Sequence, residues 1–341
     1  MCKRYFLYRV LMSFVMILLL SQNGYTKNLK QLKTDSIKSK MLSFIDEDTT
    51  NKGILFGMLN KKTNESRIFT MGAINSDNDL RTGCPTTKPC VSYMILKEGI
   101  NIESYINKWF PIEKGYPKSD SITIEMLLSN TSGIKDFAKL IKMHPDSLIT
   151  PIETIEIAYK NNNLNFNPGE KFQYSNTNYN LLGIILKRET QMSFDQLLNK
   201  YFNDIAPSLR MDNGKCNYPA GYMKPWPFHW STTGYAGSLV SSAEDAMKVF
   251  SFITNQPEFK VMSNWKTRNH NDNMAYGLGI FGYKDFNGLG RTIYYDGNMV
   301  GCQMFILKID DVVYYFHTAH KASPQRLYKF VRDMVSMLHK S

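Results

Sequence analysis

The alternation of hydrophobic and polar positions divides the chain into a strand-rich start, a helical middle and a strand-rich end. At the start, the apolar runs GILFGMLN and SRIFTMGAI flank the turn-forming KKTNE and predict a β-hairpin. From residue 101 to about residue 213, apolar residues recur at spacings of three and four, which predicts amphipathic helices. Strands then return in AYGLGIFGY, RTIYYDG, GCQMFILKID and DVVYYFHTA, and QRLYKFVRDMVSMLHK predicts a closing amphipathic helix.

This order of elements predicts a fold of the α/β class, of the α+β type. Strands joined by hairpins favour an antiparallel sheet flanked by helices, and the helical middle would form an inserted all-helical lobe. We therefore predict a sheet-and-helix domain over residues 27–100 and 221–341 and a helical lobe over residues 101–220, which together form one unit. A cleft between the two parts is the expected place for a ligand.

The composition is that of a folded protein with a basic surface. Of the 341 residues, 43% are hydrophobic and 21% are charged, which argues against disorder and against a fibrous protein. The formal net charge is +11, but the lysines are scattered and acidic residues lie between many of them. Because a nucleic-acid site needs basic residues gathered into a stripe or patch, we expect no nucleic-acid partner.

The first residues predict export. Lys3, Arg4 and Arg9 come before or at the edge of an apolar run over residues 10–20, and the polar SQNGYTK follows, which is the pattern of a secretory signal peptide. The apolar run is short for a helix that spans a bilayer. We expect residues 1–26 to be the signal peptide and the protein to be periplasmic or secreted, with an uncleaved N-terminal membrane anchor as the alternative.

The cysteines predict neither a metal site nor a single disulfide pattern. Export would allow disulfides among Cys84, Cys90, Cys216 and Cys302, but the sequence leaves their pairing open, and unpaired, buried cysteines are the alternative. The cysteines show no Cys-x-x-Cys spacing and no histidine at zinc-finger distance, so we expect no metal ion and no cofactor.

The strongest chemical signal is the segment FNPGEKFQYSNTNYNLLGIIL, in which Tyr174 and Asn176 lie in a polar loop before an apolar helix. A phenol and an amide two residues apart can both face a cleft, where Tyr174 can relay a proton and Asn176 can bind a substrate carbonyl. Taken alone, the pair is more typical of a loop that caps a helix.

Three further segments surround this pair in a recognisable order: IEMLLSNTSGIKDF, GYAGSLVSSAEDAMKVF, and AYGLGIF followed by YYDGNMVG. With Tyr174 and Asn176, they resemble the serine β-lactamase and penicillin-binding-protein superfamily, in particular class C β-lactamases, DD-peptidases and related esterases, from about residue 50 to the C-terminus. Asn130 stands where this family has a histidine. The resemblance implies a β-lactamase/transpeptidase-like fold and acyl transfer on β-lactams, peptidoglycan peptides or esters.

The resemblance also implies an activated serine in a Ser-x-x-Lys motif at the start of a helix, and we do not find this nucleophile. The segments LRTGCPTTKPC and MILKEGINIESYINKWFP resemble the parts on either side of the motif, so we expect the helix start to be deleted. A second alignment places Lys88 on the family lysine, and Pro85, which has no hydroxyl, then takes the serine position. The Ser-x-x-Lys matches that begin at Ser132 and Ser263 are interpreted as chance.

The third motif of the family departs as well. Tyr295, Asp296 and Gly297, the expected substrate-binding residues, stand where the family has His-x-Gly or Lys-Thr-Gly. A tyrosine carries no positive charge at neutral pH, so a substrate carboxylate would be held more weakly. With both this cation and the lysine absent, nothing would favour the phenolate of Tyr174.

These departures leave three hypotheses. The first is a catalytically impaired family member that binds or regulates, with a small molecule or a peptidoglycan-type compound as its ligand. The second is an active hydrolase with an unrecognised serine, such as Ser92 or Ser132. The third is a chain whose core is damaged by the deletion.

Overall fold

The computed structural model describes most of the chain after residue 33, namely residues 34–46, 52–75, 78–141, 148–160, 163–220, 222, 230–265, 267–268, 273–299, 301–320 and 322–339. Its helices are α1 Thr34–Phe44, α2 Gly83–Lys97, α3 Ile124–Leu128, α4 Pro151–Tyr159, α5 Asn176–Thr190, α6 Phe194–Phe202, α7 Ala243–Ile253, α8 Phe259–Met262 and α9 Pro324–His339. Its strands are β1 Gly53–Asn60, β2 Glu65–Gly72, β3 Arg210–Met211, β4 Leu239–Val240, β5 Thr267–Arg268, β6 Met274–Tyr276, β7 Phe281–Tyr283, β8 Thr292–Met299, β9 Cys302–Ile309 and β10 Val312–Thr318.

The strands form one large antiparallel sheet. Its order is β2-β1-β10-β9-β8-β7-β6-β5, and a separate ribbon pairs β3 with β4. Every residue of β1 and of β10 is buried, so both faces of the sheet are covered at its centre. The predicted fold, an antiparallel sheet flanked by helices with helices inserted between its strands, is confirmed.

The predicted hairpin is the pair β1 and β2. Asn60 pairs with Glu65, and the side chain of Asn60 accepts a hydrogen bond of 2.9 Å from the backbone N–H of Lys62. Asn64 completes the turn with a φ of 54°, in the left-handed region that asparagine adopts more easily than most residues. The turn formers therefore set the register of the first two strands.

The buried hydrophobic side chains form two clusters. One belongs to the sheet and to α1, α7 and α9, and the other belongs mostly to helices between α2 and α8. Helix α2 contacts β8 and β9 of the sheet and also α5 and α7, so it connects the two clusters. The domain boundaries at residues 101 and 220 stay a prediction.

The start of α2 corrects the sequence prediction of a deletion. The helix begins at Gly83 and includes Pro85, Lys88 and Pro89, whereas the sequence suggested a helix only from Val91. The expected deletion of the helix start is therefore wrong. Proline is tolerated in the first turn of a helix, where Pro85 lies, and the helix as a whole contacts β8 and α5.

Three of the four cysteines of the expected mature chain have described side chains. Cys90 and Cys302 are buried and Cys216 is partly buried, and each carries a thiol rather than a disulfide. Burial raises the pKa of the Cys90 thiol, so it is protonated at neutral pH. The expected signal peptide, residues 1–26, lies outside the described residues, and no helix in the described ranges has the length and hydrophobicity that crossing a bilayer requires.

His317 is a fully buried titratable group in β10. Its ring is hydrogen-bonded to two phenols, with Tyr222 at Nε2 and with Tyr315 at Nδ1, the latter at 3.0 Å. Burial lowers the pKa of His317 to about 3. The imidazole is therefore neutral in the folded protein near pH 7.

We expect acid to destabilise the protein through His317. In an unfolded chain the pKa of histidine is about 6.5, so below that pH the unfolded state binds a proton that the folded state does not bind. The free energy of unfolding should therefore fall by about 2 kcal/mol between about pH 7 and pH 5 from this residue alone. Urea unfolding of the wild type and of His317→Gln at both pH values measures this effect. The variant should lose less stability on acidification, and an equal loss in both proteins would contradict the prediction.

Candidate active site

Lys88 lies at the centre of the candidate site, on the second turn of α2, and its side chain is buried. Nζ donates hydrogen bonds of 3.0 Å to Oδ1 of Asn176 and of 2.6 Å to the carbonyl oxygen of Ala236. Nζ also lies 4.9 Å from the ring centre of Tyr174 and 5.4 Å from that of Tyr179. These partners compensate the cost of removing an ammonium group from water.

This arrangement decides between the two alignments of the sequence. Lys88 contacts both Tyr174 and Asn176, the pair predicted from the sequence, so it occupies the position of the family lysine. The expectation that this lysine is lost is wrong. Pro85 lies three residues earlier in α2, on the same face of the helix, and this is the position that the second alignment gives to the family serine.

Asp136 fixes the orientation of the Asn176 amide. The carboxylate accepts hydrogen bonds from the backbone N–H of Asn176 at 3.1 Å and from its Nδ2 at 3.2 and 3.3 Å. Because Nδ2 faces the carboxylate, Oδ1 faces Lys88. The sequence does not identify Asp136 as part of the site, because locally Asp136 has the pattern of a residue that caps a short 3-10 helix, Phe137–Lys139.

Asn130 positions the loop that carries Tyr174. Its Oδ1 accepts hydrogen bonds from the backbone N–H of Ser175 at 3.1 Å and from Nδ2 of Asn178 at 3.0 Å. Its backbone φ is 57°, again in the left-handed region. The sequence identified Asn130 only as a departure from the family histidine, whereas the structure shows that it connects the end of α3 to the start of α5.

Three phenols near Tyr174 are buried. The hydroxyl of Tyr295 donates a hydrogen bond of 3.5 Å to that of Tyr174, and the hydroxyls of Tyr179 and Tyr276 share one of 3.2 Å. Burial raises the pKa of Tyr179, Tyr276 and Tyr295, and repulsion from neighbouring phenolates raises it further. All three are therefore neutral hydrogen-bonding groups near pH 7.

These side chains surround a cleft of about 550 Å³. All five residues that the sequence predicted for the site lie on its lining: Tyr174, Asn176, Tyr295, Asp296 and Gly297. The structure thus brings the Tyr-x-Asn loop and the β8 motif together at one place, beside Lys88. The catalytic or binding role of each of these residues stays a prediction.

Among the described residues that line the cleft, Asp296 is the one with a carboxylate side chain. Its side chain keeps access to solvent through the cleft, although protein atoms surround it. This surrounding protein desolvates the carboxyl and raises the pKa of Asp296, and the positive charge of Lys88 opposes the rise.

The described part of the lining holds no serine, and its hydroxyl groups belong to Tyr174, Tyr295, Thr232 and Thr233. The serines considered from the sequence lie elsewhere. Ser92 is fully buried, and Ser132 is buried and donates a hydrogen bond of 2.7 Å to Oδ1 of Asn178. Ser263 follows the last residue of α8, away from the described lining.

The sequence matches a known family over the region that builds this site. The match is to the family described as Beta-lactamase and covers residues 86–333, which is more than half of the chain. The chain belongs to the beta-lactamase family. Lys88, Tyr174 and Asn176 lie inside the matched span, and Pro85 lies directly before it.

This beta-lactamase-family protein is similar to protein flp of Staphylococcus aureus strain MRSA252, with 26% identity over 285 residues. The match covers 75% of this chain and 54% of flp, so the chain spans about half the length of that relative. A shorter match, 33% identical over 98 residues, is to penicillin-binding protein 4* of Bacillus subtilis strain 168 and covers 28% of this chain and 21% of that protein.

The fold of the beta-lactamase-family protein is similar to that of solved structures. D-amino acid amidase from Ochrobactrum anthropi SV3, complexed with L-phenylalanine, has a TM-score of 0.77 at 18% identity, over 90% of this chain and 99% of that chain. The octameric penicillin-binding protein homologue from Pyrococcus abyssi has a TM-score of 0.74 at 17% identity, over 90% of this chain and 78% of that chain. At these identities the likeness shows the fold alone.

Proposed function

We propose that this protein binds a small molecule in its cleft and does not form the acyl-serine intermediate of its family. The observation that carries this proposal is Pro85, which stands one helical turn before Lys88 in α2. Proline has neither a hydroxyl nor a backbone N–H. The position therefore offers no nucleophile for acylation and no amide donor for a developing oxyanion.

The expected size of this loss favours binding over catalysis. Removing the nucleophilic serine of a serine protease lowers kcat by about 10⁶-fold, and the remaining rate comes from binding and from oxyanion stabilisation. The other polar groups remain connected, since Lys88 bonds to Asn176 and Asn176 bonds to Asp136, beside Tyr174. These contacts support a preformed cleft for a peptidoglycan-type compound or another small molecule.

An active hydrolase with a different nucleophile is the alternative. The burial of Ser92 and the hydrogen bond from Ser132 to Asn178 speak against these two serines. Each would have to leave its packing before its hydroxyl could meet a substrate in the cleft.

We expect the native wild-type protein to remain unmodified by a fluorescent penicillin and by a fluorophosphonate. Intact-mass spectrometry measures the adduct, and a denatured sample reports the background labelling of exposed side chains. Peptide mapping covers the serines, threonines and cysteines of the chain. A stoichiometric adduct on one such residue of the native protein, absent from the denatured sample, would overturn the proposal.

A further inference from the structure

Strand β8 places a carboxylate on the cleft wall and has no cation at the position where the family motif has one. Tyr295 takes the position of the family histidine or lysine, and it is buried and neutral near pH 7. Asp296 follows it and lines the cleft. The motif on β8 therefore contributes a carboxylate and no cation.

The carboxylate of Asp296 is available to a ligand. Asp296 and Asn298 are both exposed, in keeping with the alternation of side chains along β8. Within the described ranges, no salt bridge to Asp296 is formed, and the positive charge that influences it is that of Lys88. Nζ of Lys88 is buried and donates hydrogen bonds to Asn176 and to the carbonyl oxygen of Ala236.

The rest of the wall is mainly apolar and aromatic. The hydrophobic side chains on the lining include Phe137, Ile141, Phe172, Phe281 and Met299. Such walls contribute binding through buried area, whereas a polar group at one point of the wall sets the orientation of the ligand. A single accessible carboxylate on an apolar wall favours a ligand with one positive charge and a hydrophobic body.

We propose that the cleft binds a compound that joins a primary ammonium group to an apolar or aromatic group and has no free carboxylate, with its ammonium group on Asp296. This inference rests on the proposed function, because it names the ligand class of the same cleft. An ammonium group donates a charge-assisted hydrogen bond to Asp296, and a free carboxylate on the ligand is repelled by it.

Calorimetric titration with phenylalaninamide and with 3-phenylpropanamide tests this ligand class. The two amides share the phenyl ring and the carboxamide and differ by the amino group. We expect the wild type to bind phenylalaninamide about ten- to a hundredfold more tightly than 3-phenylpropanamide. Asp296→Asn keeps the size of the side chain and removes its charge, so it should reduce this preference to less than about threefold.

The matched control is Asp204→Asn, which removes an exposed carboxylate outside the described cleft lining. It should leave the preference for phenylalaninamide unchanged, and thermal unfolding of both variants confirms that they fold. Equal binding of the two amides by the wild type, an unchanged preference in Asp296→Asn, or no binding of either amide would overturn the ligand class. An acyl adduct on the native wild type would instead overturn the proposed function, so the two failures are distinguishable.

Discussion

Pro85→Ser should give the protein a covalent reactivity that the wild type lacks. The new hydroxyl would lie one helical turn before Lys88, on the same face of α2, and the substitution also restores a backbone N–H at this position. We expect labelling by a fluorophosphonate to rise on the order of 10²- to 10⁴-fold, which is a part of the factor that a nucleophile contributes in serine hydrolases. In-gel fluorescence measures the rate, and peptide mapping locates the adduct.

Two variants separate the hydroxyl from the other consequences of this substitution. Pro85→Ala also removes the ring and restores the N–H but has no hydroxyl, so it should stay unlabelled. Adding Lys88→Met to Pro85→Ser removes the amine beside the new serine and should abolish most of the gain. A Pro85→Ser protein that folds like the wild type and stays unlabelled would contradict the assignment of Pro85 to the nucleophile position.

Breaking the buried ion pair between Arg81 and Asp212 should destabilise the protein by about 3–5 kcal/mol. Nη2 of Arg81 lies 3.0 Å from Oδ2 of Asp212, and their side chains are 2% and 0% exposed. The guanidinium group also lies 4.6 Å from the ring centre of Tyr218, whose hydroxyl donates a hydrogen bond to Asp212. Arg81 directly precedes Thr82, the N-cap of α2, so the pair also supports the start of the helix that carries Lys88.

Urea unfolding of Arg81→Met and Asp212→Leu measures this loss. The double variant should lose less than the sum of the single variants, because it leaves no unpaired buried charge. Lys62→Met is the matched control, since Lys62 forms a 2.8 Å pair with Asp311 that is exposed and should contribute less than about 1 kcal/mol. The prediction would be contradicted if Arg81→Met and Asp212→Leu each lowered the free energy of unfolding by as little as Lys62→Met does.

The hairpin and the Tyr174 loop could be predicted from the sequence because their signals are local. Turn formers separate two apolar runs at the β1–β2 hairpin, and Asn60 and Asn64 complete the turn with their own side chain and backbone. The turn formers Pro168 and Gly169 likewise precede the loop, and α5 begins at Asn176.

The start of α2 could not be predicted because local preference and tertiary packing disagree there. Glycine and proline have low helix propensity, yet Gly83, Pro85 and Pro89 belong to a helix that contacts β8 and α5. An interpretation from local signals therefore favours a deletion, and only the packed structure shows that Lys88 reaches Asn176.

The polar residues that support the site could not be predicted because they act between distant parts of the chain. Asp136 bonds to Asn176 across forty residues, and Asn130 bonds to Ser175 across forty-five. Considered without its partner, Asp136 has the sequence pattern of a residue that caps a helix, and Asn130 has that of a residue in a turn. Neither pattern indicates a partner.

Acyl transfer to the wild-type protein from the p-nitrophenyl ester of phenylalanine measures most directly whether the cleft contains a nucleophile. This ester has an ammonium group, an aromatic ring and no carboxylate, so it matches both the carboxylate of Asp296 and the apolar lining. We predict no burst of nitrophenolate and no phenylalanyl group on any side chain of the cleft by intact mass and peptide mapping. A burst that approaches one equivalent per protein, with the phenylalanyl group mapped to a cleft side chain, would contradict this account.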